Sequence, residues 1–98
     1  MNKPHVTYIL TVSYVLEQEH QVIILPHSDR QQFDLLEHIE RLNEEQRIYS
    51  IVRVTEHFYP RDPSGEWRTE VTVEEVRATI LTQKQLILDP VQNQETTE

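Results

Sequence analysis

The sequence predicts an α+β fold. A mostly antiparallel sheet of four to five strands carries one amphipathic helix packed on one face, with chain order strand, strand, helix, strand, strand and a short last strand. Three observations predict it. Residues 5–16 and 47–59 alternate in polarity with period two, as half-buried strands do. Residues 28–43 place apolar side chains at helical spacing. Pro26, Glu44 to Gln46 and Pro60 to Gly65 mark the ends of these segments.

In the first strand Val6, Tyr8, Leu10, Val12, Tyr14 and Leu16 share one side, and Thr7, Thr11 and Ser13 the other. Ile9 and Val15 interrupt that polar side, so part of it is expected to be covered too. Glu17 to His20 is polar and suits a four-residue hairpin loop. Val22 to Leu25 is a short continuous apolar run, a second strand ended by Pro26.

The helix is expected from Ser28 to Asn43. Ser28 and Gln31 have the spacing of a capping box, and Asp29 places negative charge at the positive end of the helix dipole. Phe33, Leu35, Leu36, Ile39 and Leu42 form the apolar side. Arg30, Asp34, Glu37, His38, Arg41 and Glu45 form the polar side, with Glu37 and Arg41 in the favourable i,i+4 order. An acidic polar face is repelled by anionic lipid, so the apolar side is read as core.

Glu44 to Gln46 reads as a turn. The third strand sets Ile48, Ser50, Val52, Val54 and Phe58 against Tyr49, Ile51, Arg53, Thr55, His57 and Tyr59. Pro60 to Gly65 holds two prolines and the one glycine, the strongest turn signal in the chain. From Glu66 alternation resumes with Trp67, Thr69, Val71 and Val73 on one side. A long β-hairpin follows. Val76, Ala78 and Ile80 then fall on even positions, so a bulge near Glu74 and Glu75 is expected. A helix starting at Thr72 and capped through Glu75 competes with it. The strand is preferred, because the apolar residues scatter on a helical wheel and Thr79 and Thr82 are β-branched. Leu86 to Leu88 supplies the last short strand. Residues 1–90 are expected to form one domain, and the polar stretch 91–98 a disordered tail.

Composition bounds the chemistry. Seventeen acidic residues against nine basic ones leave a formal charge of −8, which opposes direct binding to nucleic acid or anionic membrane. No cysteine is present, which excludes disulfides, thiolate catalysis and cysteine-ligated metal. Thr7, Thr11 and Ser13 interrupt the apolar run near the amino terminus, so it reads as a strand and not a signal peptide. No segment approaches membrane-spanning length, and a soluble, cytoplasmic protein is expected. With only 37% apolar residues in 98, a homodimer would help to complete the core.

No catalytic or cofactor motif stands out. His5, His20, His27, His38 and His57 show no paired metal-ligand spacing. The carboxylate pairs Glu17–Glu19, Glu44–Glu45 and Glu74–Glu75 fall where turns or a bulge are expected. His57 with Glu56 or Asp62 is the one candidate dyad, with no nucleophile motif beside it. One glycine cannot build a phosphate cradle. No cofactor and no metal are therefore assigned.

Aromatic residues, prolines and arginines concentrate between Phe58 and Arg68, the composition of an interface hot spot. Tyr59, Arg61, Trp67 and Arg68 are the candidate partner contacts, although Trp67 paired with Phe58 would equally serve to cap the core. The leading reading is a small acidic, non-enzymatic interaction or regulatory module. It would be dimeric and bind a larger protein through the long hairpin or the exposed sheet face, where threonines, charges and aromatics mix. The second reading is an inhibitor that mimics nucleic acid. Its acidic face would comprise Asp34, Glu37, Glu40, Glu44, Glu45, Glu70, Glu74 and Glu75, interrupted by Arg30, Arg41, Arg68 and Arg77. The third is a ligand-binding or catalytic dimer whose pocket lies between protomers and holds Arg53, His57 or Tyr59.

Overall fold

The structure, a computed structural model, describes residues 3–14, 16, 18–60, 65 and 68–91. Five strands and one helix follow one another as β1 (His5–Tyr14), β2 (Glu19–Leu25), α1 (Gln31–Glu44), β3 (Ile48–Tyr59), β4 (Arg68–Ile80) and β5 (Leu86–Pro90). The strands form one sheet in the order β2-β1-β3-β4-β5, and every neighbouring pair is antiparallel. This is the α+β arrangement the sequence predicts.

β2 and β3 both run antiparallel to β1, on opposite sides of it. They are therefore parallel to each other, and the chain must cross β1 to join them. A crossover of this kind needs length and is usually helical. α1 supplies it, and so covers one face of the sheet. Leu35, Ile39 and Leu42 are fully buried there, with Leu10, Val12, Ile51 and Val76 in the same core.

The helix begins later than its sequence suggests, and no side chain caps its first turn. Ser28 instead opens a turn, accepting a hydrogen bond from the Gln31 backbone N–H through its carbonyl. The Gln31 side chain is buried and donates to the carbonyls of Val6 (2.7 Å) and Leu25 (3.0 Å). It ties the start of the helix to both ends of the β1–β2 hairpin and so takes no part in a capping box. Phe33, expected on the apolar side, is half exposed beneath the Arg30 guanidinium, 5.0 Å from its ring centre. The inward stripe is Gln31, Leu35, Ile39 and Leu42. Arg41 bonds to His38 at 3.1 Å. At the other end Gln46 takes a left-handed φ of 56°, and the Arg47 N–H returns to the Leu42 carbonyl. That closes a Schellman motif without glycine.

Two further expectations are corrected. β1 stops at Tyr14, which pairs with Glu19, so Glu19 and His20 belong to β2 and not to the loop, and Leu16 is almost wholly exposed. β4 is a strand without a bulge at Glu74–Glu75: its register with β3 runs unbroken from Ile51–Val76 to Tyr59–Arg68. The change of phase has another cause. Around Val76 the helix covers the face that even residues occupy, so the apolar residues are even. Nearer the hairpin the apolar residues are odd, Val71 and Val73, and point to the opposite face. Val91, expected to open the tail, donates its N–H to the Glu75 carbonyl. Residues 92–98 lie outside the described residues.

Candidate interaction surface

The register places the side chains of β1 to β4 on two faces. On the face opposite α1, one row across the sheet is Ile24, Ile9 and Val52, and a second is Thr7, Val54 and Val73. Val22, Thr11 and Ser50 form a third row, and Ile48 and Val71 extend the patch toward its two ends. Ile48, Val73, Ile24, Val22 and Val71 are each more than half exposed. Drawn from four adjacent strands, these side chains form one contiguous patch, unlike hydrophobes scattered singly over a surface. Charge enters this face through Glu56 toward the hairpin and through Glu75, Arg77 and Asp89 on β4 and β5. At its hairpin end the His5 ring stacks on His27 at 5.0 Å and meets the edge of Phe58 at 5.1 Å.

The other face of the same hairpin is polar and internally paired. Arg53 donates from Nε (3.0 Å) and Nη2 (2.7 Å) to Oε2 of Glu74, with both side chains partly buried. The hydrogen bond to Glu74 holds the guanidinium pKa above its ordinary value, against the opposing effect of burial. Farther out, the Tyr59 hydroxyl donates to Glu70 at 3.0 Å, and Arg68 lies 4.9 Å over the Tyr59 ring and 3.7 Å from the Glu70 carboxylate. That bond to Glu70 raises the phenol pKa.

Tyr59 and Arg68 thus stand together, while Arg61 and Trp67 lie outside the described residues. The acidic candidates do not share one face. Asp34, Glu37, Glu40 and Glu44 belong to α1 and Glu45 follows it, Glu70 and Glu74 lie on the polar face of the hairpin, and Glu75 points to the apolar face. Several already have cationic neighbours: Asp34 faces Arg30 at 4.0 Å, Glu45 faces Arg47 at 3.6 Å and Glu40 faces Lys84 at 3.3 Å.

Glu56 and His57 are consecutive on β3 and point to opposite faces, and Asp62 is outside the described residues, so the candidate dyad is not assembled among those described. Arg53, His57 and Tyr59 do share a face, where Arg53 and Tyr59 are engaged by Glu74 and Glu70. Where β3 parts from β4 below the Ile51–Val76 pair lies a hollow of about 290 Å³, lined in part by Tyr49, Ser50, Glu75, Arg77 and Val91. Burial raises the Tyr49 phenol pKa, and a hydrogen bond to Asn43 partly offsets it. Among the described residues no three His, Asp or Glu side chains converge as metal ligands, and no helix is long and apolar enough to cross a membrane.

Reading along the chain singled out the exposed sheet face but expected threonines, charges and aromatics to mix there, and so missed its aliphatic patch. Its signal was present in Ile9, Ile24, Val52, Val54, Val71 and Val73, each opposite in phase to the core residues of its strand. No protein-family model, no curated protein and no solved structure matches this chain.

Proposed function

We propose that this protein is a small, non-enzymatic, cytoplasmic interaction module that docks on another protein chain through its open sheet face. The supporting observation is one apolar patch in which Ile24, Val71 and Val73 are more than half exposed and Ile9, Val52 and Val54 partly so, on a chain of net charge −8. An apolar face that size favours contact with protein over water. Mimicry of nucleic acid draws less support, because the carboxylates divide between surfaces and several have cationic neighbours.

The test is capture from native lysate on the immobilised chain, with elution in salt steps. A partner that stays bound at high salt and is lost from the Val54→Thr/Val73→Thr variant supports the module. A basic nucleic-acid enzyme released at modest salt and displaced by oligonucleotide favours the mimic. Turnover by the pure protein, or a cofactor that co-purifies with it, overturns the non-enzymatic reading.

A further inference from the structure

We infer that the occupant of the open sheet face is a second copy of this chain, packed face to face so that two sheets form a sandwich with the two helices outside. This rests on the docking reading above and names its partner.

Three features of the face point to a copy. The first is shape. Face-to-face sheets pack about 10 Å apart with their strands roughly 30° from alignment, an angle set by the twist of each sheet. A second copy carries the same twist by identity, and a two-fold axis makes the contact self-complementary. The second is size. The band formed by β2, β1, β3 and β4 covers on the order of 500 Å² in plane, from strands ~4.8 Å apart and about eight residues long. Side-chain relief raises this toward the about 800 Å² that each partner buries in a standard interface. The third is charge. Two copies of a −8 chain repel one another over most of their surface. Across β1 and β3 the middle of this face carries no charge: Ile9, Thr11, Val52 and Val54 supply aliphatic groups and a hydroxyl, Val73 continues it onto β4, and Glu75 beside Val52 is the first carboxylate at its edge. It is the surface two copies can share at least electrostatic cost, and β-branched side chains interdigitate well across paired sheets.

Sedimentation equilibrium of the purified chain over a range of concentrations tests this, with circular dichroism to verify the fold of each variant. The expected result is a dimer that added salt does not dissociate, because salt screens the repulsion and leaves the apolar contact intact. Val73→Glu places one carboxylate per copy in the contact and is expected to raise the dissociation constant ~100-fold or more. Val54→Thr/Val73→Thr keeps shape and strand preference, and is expected to raise it about tenfold or more through four buried hydroxyls per dimer. A chain that is monomeric at every concentration overturns the inference, as does a dimer that dissociates in salt or survives Val73→Glu. Lysate capture then separates the two claims. A partner held by the wild type and lost with Val73→Glu leaves the docking face standing with a different occupant. Equal capture by both chains removes the docking face as well.

Discussion

Strand β3 has two faces that differ more than its sequence suggests. On one, Ile51 enters the core beneath α1, and beyond it Arg53 and Tyr59 are tied to Glu74 and Glu70. On the other, Val52 and Val54 continue an apolar surface with Ile9, Ile24 and Val73, and no described element covers it. The face with the helix is apolar where the helix lies and polar where it ends. The face without the helix is apolar through its middle. Hydrophobicity therefore marks two surfaces here, and the crossover from β2 to β3 determines which of them is core within one chain.

Adjacent residues of β1 test that difference most directly. Leu10→Ala empties a fully buried site and is expected to cost about 2–5 kcal/mol in urea unfolding. Ile9→Ala, measured in protein dilute enough to be monomeric, is expected to cost about 1 kcal/mol because its site is only partly buried. Equal losses would break the distinction between the two faces.

Gln31→Leu comes next. It leaves the Val6 and Leu25 carbonyls without their buried donor, an expected loss of roughly 1–3 kcal/mol. Amide exchange should quicken at the start of β1 before it does at Leu10. An unchanged melting temperature would mean that the helix start is held by packing alone.

A smaller effect is expected from Glu74→Ala, which removes the partner of Arg53. Both side chains keep some solvent, so the loss should be about 0.5–1 kcal/mol and shrink with salt. A double-mutant cycle with Arg53→Met measures the coupling. No coupling would reduce the polar face of the hairpin to independent surface groups.

The smallest expected effect concerns Tyr49. Its folded pKa is raised above the ordinary 10.0 by burial. The stability linked to this group is therefore fully present below about pH 10 and lost as the pH rises through the folded value. Tyr49→Phe should flatten that alkaline decline and remove a late phenolate absorbance. An unaltered titration curve would show that the phenol titrates as if in water.

Much of the architecture was legible along the chain. Leu10 and Val12 fall on one side of an alternating strand, and Leu35, Ile39 and Leu42 recur at helical spacing, so both core stripes could be found from local pattern. The helix start was not legible. Ser28 and Gln31 have capping-box spacing, but carbonyls of β1 and β2 draw the Gln31 amide inward. The phase change in β4 was equally obscure, because a bulge and a switch of the covered face leave the same mark in sequence. Of the candidate contacts that composition singled out, Tyr59 and Arg68 are neighbours across β3 and β4. The apolar patch escaped notice because its residues come from four strands and become neighbours only through the register.

By itself the sequence determined the element types, the acidity, the lack of cysteine chemistry and the two stripes that form the core. Those properties depend on side chains and their near neighbours. The tertiary structure alone decided which face α1 covers, that Glu74 and Glu75 part to opposite sides, and that six aliphatic side chains distant in sequence join into one surface. Strand order and register set these outcomes, and they arise from long-range pairing and the crossover path, which local pattern does not encode.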